Sequence, residues 1–478
     1  MKFSIKKLTL KVLLVFAIIL LKACSKDSDA PNPFEITVTT SDFSKTMDEN
    51  PSNGQLIGIV SGSTNEGSVT FSITEQNPAG AFSIDPASGE LKVANATLFD
   101  FEINPIITGT VKVANGAVSK NALVMITLND LVEENVFEGN INLKSQDEVN
   151  SFGANNYTRI TGALFIGIGD GTGYSDIHDL TPLSTLESID NNFLIGFNEN
   201  LISTTGLENI SHLGGDLNFL NNTSLTNIVG LNHITSINGT LSIYNNQSLV
   251  SLDGLNQLSS VNGYFQLHLN PLMSNIDWLE NLVSVEQDFT ISSCYSITNI
   301  DALSNLTTVG GGLTISSNTS LENLNGLQNL TATIPYLNIS YNSSLPNLNG
   351  IQNIFPTRGV SIANNDLLQN LQGLEHITTV TEGIYIVRNN SLTDLQGLNN
   401  LGNCVDLVIQ DNENLTSLNG LNNLSNVYLT LQVVHNLNLI DLCDLQNLVI
   451  NGHIGSYSVY LNAYNPTKQD IIDGNCRL

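Results

Sequence analysis

The sequence predicts a mainly β chain in which a small β-sandwich precedes a long parallel β solenoid of about 11–12 coils. Three observations carry this. One phrase recurs: GTLSIYNNQSLVSLDGL (Gly239–Leu255) returns as GGLTISSNTSLENLNGL (Gly311–Leu327) and EGIYIVRNNSLTDLQGL (Glu382–Leu398). Its closing position falls at Leu183, Leu207, Leu231, Leu255, Leu279, Leu303, Leu327, Ile351, Leu374, Leu398, Leu421 and Leu445, 24 residues apart with two steps of 23. A fixed period of this size belongs to stacked units, none of which can bury its apolar face alone. Aromatic residues make up 6% and charged residues 13% of the 478-residue chain, a composition suited to turns and amide ladders rather than to a helical enzyme. Ahead of the repeats, short alternating strands are separated by turn clusters.

The charge excludes one class of partner. Lys2, Lys6, Lys7, Lys11 and Lys22 all precede Cys24, so removing these five from a net charge of −28 leaves about −33 on the remainder. Such a surface repels phosphate backbones, and no nucleic-acid partner is expected.

Residues 1–23 have a basic start, an apolar run over Val12–Leu21 and the ending Leu21-Lys22-Ala23-Cys24. The run is short for a bilayer span and reads as a signal peptide. The ending resembles a bacterial lipoprotein lipobox, although Lys22 is an unusual residue there. The resemblance implies a lipidated Cys24 and an outer-membrane lipoprotein that touches the membrane only through its N-terminal lipid. Plain secretion with a free Cys24 is the alternative. Residues 24–33 carry SKDSDAPNP, small, acidic and proline-bearing, and read as a flexible tether. Exposure on the cell surface is favoured over the periplasmic face.

Residues 34–134 contain FEITVTT, LIGIVSG, VTFSITE, ELKVANA, TGTVKVANG and ALVMITLND, the rhythm of a β-sandwich. Asp48-Glu49-Asn50-Pro51, AFSIDPASGELKV (Ala81–Val93) and LFDFEINP (Leu98–Pro105) make this stretch resemble a cadherin-like domain. The resemblance implies calcium, held by hard carboxylate oxygens from Glu49, Asp100, Glu102 and Asp130. The sequence departs from that pattern where an Asp-x-Asp pair is expected, since SGSTNEG stands there, and at Val132 and Glu133. The competing reading is that these acids cap turns. Either way the domain would serve as a stalk.

Residues 136–478 hold the repeats. In Gly239–Tyr244, Leu241 and Ile243 alternate with Thr240, Ser242 and Tyr244, so one face turns inward. Phe265/Leu267, Leu313/Ile315 and Leu407/Ile409 repeat the pair in other coils. An asparagine follows each strand in register (Asn198, Asn222, Asn246, Asn270, Asn318, Asn342, Asn365, Asn389, Asn412, Asn436), and stacked amides can bond the backbone where each strand turns. Cys294 takes the missing rung and reads as structural; Cys404 occupies the slot of Val261 and reads as a buried filler. Within 24 residues, loops or single helical turns fit better than full helices. The GxLxIxxNxxLxxLxGLxxL pattern resembles the receptor L-domain type of leucine-rich repeat, common in bacterial surface lipoproteins. Phe137–Gly162 and the C-terminal VYLNAYNPTKQDIIDGNCRL leave the period and are expected to cap the two ends, with Cys443 and Cys476 placed for a disulfide.

No nucleophile elbow, phosphate loop or zinc spacing is present, and the seven histidines are scattered. Asp170-Gly171-Thr172-Gly173 with Asp176 reads as a polar turn. The solvent side of the sheet is where binding is expected, along Asn218, Ser242, Gln266, Thr290, Thr314, Asn338, Ser361, Tyr385, Val408 and Gln432. Tyr244, His268, Tyr341, Tyr385 and Arg388 are the larger groups that could anchor a protein or glycan. The expected activity is therefore adhesion or recognition without catalysis. A β-helix-type carbohydrate-active enzyme and a passive envelope spacer are the alternatives.

Overall fold

The computed structural model describes residues 35–131, 134–168 and 173–478, which fall into two compact units divided after residue 133. Both are dominated by strands.

In the first unit, Phe43–Asp48, Val118–Asn129, Ile106–Asn115 and Thr70–Asn77 form a four-stranded sheet in that spatial order. Leu56–Ile59, Glu90–Val93 and Phe82–Ile84 form a three-stranded one, and Val38–Thr40 pairs with Gly62–Thr64. Strand Ile106–Asn115 alternates exposed and buried residues, so Ile107, Val111 and Val113 reach the core while Thr108 and Lys112 face water. Phe71, Phe82, Leu91, Phe99 and Ile126 close that core from the other strands and loops. The AFSIDPASGEL motif has a local cause. Asp85 Oδ1 accepts from the backbone N–H of Ala87 and Ser88 at 2.9 and 2.8 Å, and Gly89 completes the turn at φ +76°. A Cβ there would lie 2.6 Å from the Val60 carbonyl oxygen, so only glycine fits.

The second unit is solenoid-like: one parallel sheet of fourteen strands in chain order, from Ile141–Leu143 to His453–Tyr460. Leu217, Leu241, Phe265, Phe289, Leu313, Leu337, Val360, Ile384, Leu407 and Leu431 pair in one unbroken column, each 0–1% exposed. Each such side chain contributes on the order of 1.5–3 kcal/mol by leaving water. Two-residue strands such as Ser236–Ile237 and Ser260–Val261 form a second side, and short 3-10 turns such as Asp253–Leu255 and Asn325–Leu327 a third. Trp278 takes the place that Gly254 and Gly326 hold in other coils and is 1% exposed.

The asparagine column is a buried ladder. Asn342 is typical: its backbone N–H donates to Asn365 Oδ1 at 3.1 Å and its Nδ2 donates to the Ile315 carbonyl at 2.9 Å. The ladder begins at Ser175 and runs through Asn462 to Asn465. A second, exposed asparagine column was not anticipated from the period. Asn281, Asn305, Asn329 and Asn353 each donate through Nδ2 to a carbonyl of the preceding coil at 2.7–3.2 Å.

The ends differ from expectation. Where the period implies 11–12 coils, the sheet holds fourteen strands, because the expected N-terminal cap supplies an edge strand and the residues just before the expected C-terminal cap add another. Phe137–Gly162 supplies the edge strand Ile141–Leu143 and the helix Gln146–Gly153, N-capped by Ser145. Phe137, Phe152 and Tyr157 meet there with ring centroids 5.0–5.4 Å apart. At the other end the strand His453–Tyr460 runs into the expected cap, whose Val459 and Tyr460 complete it, and the cap then forms the helix Lys468–Ile472 with its Thr467/Asp470 capping box. Extra residues leave through the turns, so pairing continues where the spacing changes: 29 residues separate Leu164 from its partner Phe193, and 26 separate Leu431 from Tyr457.

Candidate functional site

Each strand of the long sheet, from Phe193–Gly196 onward, hands over to the ladder position (asparagine, or Cys294 in one coil) through one residue of positive φ. Phe197, Asn221, Asn245, Leu269, Ser293, Ser317, Tyr341, Asn364, Arg388, Asp411, His435 and Leu461 hold φ between 54° and 62°. Asparagine and aspartate occupy this region at low cost because their short side chains bond locally, and histidine is also favoured there; Tyr and Arg are not. Their side chains stand out along the rim where the strands end.

The five anchor residues named from the sequence fall on three separate columns. Tyr385 lies on the central outward stripe, in register with Ser361 and Val408. Its ring folds back over Gly383, where a Cβ would meet the Tyr385 ring at 2.6–2.7 Å. Burial, and then the charges of Asp406 and Glu382, raise its phenol above the ordinary value. Tyr244 and His268 pair at the last strand position, with ring centroids 5.3 Å apart. His268 Nδ1 bonds Ser292 Oγ, and burial lowers its pKa, which favours the neutral ring. Tyr341 and Arg388 stand on the rim, 54% and 59% exposed respectively. With rungs roughly 4.8 Å apart, Tyr341 lies about 19 Å from Tyr244 along the sheet. The five do not form one cluster.

The structure gathers two other groups that the sequence reading did not assemble. On the rim, Asp411 is held between Arg388 Nε at 3.3 Å and His435 Nδ1, and also accepts from Gln410 Nε2 at 3.0 Å. Its carboxyl opposes partial burial with these bonds and lies below its usual range. A cleft of about 280 Å³ opens beside them, with Asp366 and Glu413 among its walls. At the opposite end of the strands, Tyr336 Oη donates to Glu382 at 2.9 Å. Arg358 Nε donates to the same carboxylate at 3.0 Å while its guanidinium lies 4.9 Å from the Tyr336 ring centroid. The signal for both was available: Arg388, Asp411 and His435 all sit just before a ladder asparagine, and Arg358 and Glu382 are one period apart.

In the first unit, carboxylate oxygens of Glu49, Asp100 and Glu102 lie within 4.8 Å of one another. Asp130 lies outside that group, though its charge reaches Glu102. Glu49 is 2% exposed and accepts from the Phe101 and Leu131 backbone N–H at 2.7 and 2.6 Å, which hold its carboxyl below the ordinary value. Asp100 Oδ1 accepts from Ile103 N at 2.9 Å. Glu102 is shifted up: a backbone hydrogen bond at its own residue lowers it, but burial and the charges of Glu49, Asp130 and Asp100 outweigh that. The acids therefore do cap turns, and they also crowd like charges that a hard cation would relieve.

Cys443 and Cys476 are joined, and Leu442 N donates to the Cys476 carbonyl at 2.9 Å, tying the tail to the last coil. Cys294 and Cys404 are buried thiols, both pushed up to about 12 by burial above all, which removes nucleophilic character. The signal peptide, Cys24, the tether and Asp170-Gly171-Thr172 lie outside the described residues. Among the described residues, no helix is long and apolar enough to cross a membrane.

No protein-family model matches the chain, and no curated protein matches it. Solved structures with local similarity are cadherin extracellular domains. Human protocadherin-24 EC1-2 matches at 17% identity and TM-score 0.17, covering 21% of this chain and 49% of that one. Mouse cadherin-23 EC22-24 matches at 18% and 0.17, covering 23% and 38%. Protocadherin gamma B2 domains 3-6 match at 17% and 0.18, covering 20% and 23%. The chain thus spans between 23% and 49% of those structures' length.

Proposed function

We propose that this protein is a non-catalytic envelope lipoprotein that recognises a protein or glycan through its leucine-rich, receptor L-domain-like solenoid. The observation that carries the reading is the outward side of the fourteen-strand sheet. It is a surface of mostly small polar residues on which Tyr244 and Tyr385 stand exposed, with Tyr341 and Arg388 exposed on its rim. Rigid aromatic and guanidinium groups on a preformed surface lose little entropy on binding. Cys24 would carry the lipid, and the first unit would act as a cadherin-like stalk. Calcium at Glu49, Asp100 and Glu102 would neutralise the crowded carboxylates and stiffen that stalk.

The test is adhesion of cells expressing the full chain, with Tyr244, Tyr341, Tyr385 and Arg388 replaced together by Ala. Loss of adhesion with the fold intact supports recognition; unchanged adhesion favours a passive spacer. Cys24→Ser should release the protein from the membrane fraction.

The Asp411–His435 pair favours one second reading, a carbohydrate-active enzyme. That reading requires release of reducing ends from a polysaccharide and its loss in Asp411→Asn.

A further inference from the structure

We infer that the rim cleft around Arg388, Asp411 and His435 is a subsite for a neutral, extended polysaccharide running along the solenoid axis. This rests on the recognition reading above, and it moves the binding surface from the sheet face to the rim.

The geometry is repetitive in one direction. Tyr341, Asn364, Arg388, Asp411 and His435 belong to five consecutive coils and share the same positive-φ position. Successive rungs are roughly 4.8 Å apart, close to the length one pyranose unit adds to an extended chain. A linear glycan laid along the rim therefore meets a new polar group at each sugar. Asp366, Asn390, Glu413 and Leu437, two residues further on in four of those coils, form the parallel wall of the cleft.

The chemistry selects hydroxyl groups. The centre is close to neutral, because Asp411 is occupied by both Arg388 and His435. The remaining guanidinium N–H groups of Arg388 and the Nε2 of His435 have no protein partner among the described residues, and both side chains are more than half exposed. Glu413 on one side accepts only, while Asn390, already donating to Asp366 Oδ1 at 2.9 Å, keeps an amide that can do both. A hydroxyl both donates and accepts, so a sugar can satisfy this alternation. A polyanion would meet the carboxylates of Asp366, Asp411 and Glu413. A cationic peptide would leave the free Arg388 guanidinium donors unpartnered. Tyr341 at one end and Leu437 at the other, 54% and 57% exposed, offer apolar surface to the C–H faces of the terminal sugars.

The experiment is affinity electrophoresis of the full chain in gels containing xylan, laminarin or hydroxyethyl cellulose, with alginate and polylysine as charged controls. The expected result is retardation by at least one neutral polymer. That retardation should weaken tenfold or more in Glu413→Gln and in His435→Ala, with Trp278 emission unchanged in both. Retardation by none of the neutral polymers, retardation that survives both variants, or retention by a charged control alone overturns the inference. Failure here is separable from failure of the recognition reading. Adhesion that persists in cells carrying Glu413→Gln and His435→Ala, but is lost when Tyr244 and Tyr385 are replaced, keeps recognition and removes the rim subsite.

Discussion

The backbone N–H of Cys294 donates to Asn318 Oδ1 at 3.1 Å, so this interior rung, which has no amide, is held by the coil ahead. Towards the coil behind, its sulfur takes hydrogen bonds from the backbone and side chain of Asn270, but it lies 3.9 Å from the Leu267 carbonyl, where an amide rung places a nitrogen at about 2.9 Å, as Asn318 does at 3.0 Å to Ile291. Cys294→Asn should restore that bond and stabilise the solenoid by about 1 kcal/mol. The reverse experiment, Asn342→Ala, strands the Ile315 carbonyl and the Asn318 N–H, and should cost about 2–4 kcal/mol. Urea unfolding followed by fluorescence reads both, because the single tryptophan, Trp278, lies in the solenoid.

Trp278 fills a place that glycine holds in Gly254 and Gly326, packed near Phe265 with centroids 6.1 Å apart. Trp278→Ala should leave a cavity and cost about 3–5 kcal/mol. The native emission should be blue-shifted and should move red in the same urea range where circular dichroism loses its β signal.

The tail is pinned by Cys443–Cys476, which closes a separation of 33 residues. Replacing Cys476 with Ser should cost about 2–4 kcal/mol. Hydrogen exchange should rise first in His453–Tyr460 and Lys468–Ile472, which the tail covers. Equal exchange in both forms would show that packing of Ile471 and Tyr464 suffices.

The first unit should show an acid dependence centred on Glu49. Its folded pKa lies below the ordinary 4.5 through the N–H groups of Phe101 and Leu131. Stabilisation from it is thus present above about 4.5 and is lost as pH falls through the lower folded value. Glu49→Gln should lower the thermal midpoint at pH 7 and flatten the drop on acidification. Millimolar calcium should raise the midpoint of the parent chain by several degrees, with the rise lost in Asp100→Asn.

Cys294 and Cys404 should resist alkylation by iodoacetamide at pH 8 in the native protein and react fully in urea. With thiols pushed to about 12 inside the core, the thiolate fraction and the access are both small.

Much of the solenoid was legible because its determinants are local. Leu241 and Ile243 alternate with polar residues, and Asn246 follows at a fixed offset, so any one coil states which side is buried and where it turns. The ends were harder: Ile141–Leu143 and His453–Tyr460 pair with the sheet although the spacing around them changes, since pairing depends on the neighbouring strand and not on loop length. The binding surface was only partly legible. Tyr385 was placed on the outward stripe, but Asp411 went unmarked because its meaning comes from two residues a full coil away on either side.

The order of residues within a single coil carries its period, its inward apolar pairs, its ladder asparagines and the structural role of Cys294. These follow from strand alternation and turn chemistry within two dozen residues. Which side chains of different coils stand together, as in Arg388–Asp411–His435 and Tyr336–Arg358–Glu382, and which carboxylates converge in the first unit, depend on how the coils stack and the strands pair. The reason is register: stacking brings residues 23 or 24 apart within one rung, roughly 4.8 Å, and that short distance turns separate charges into a site.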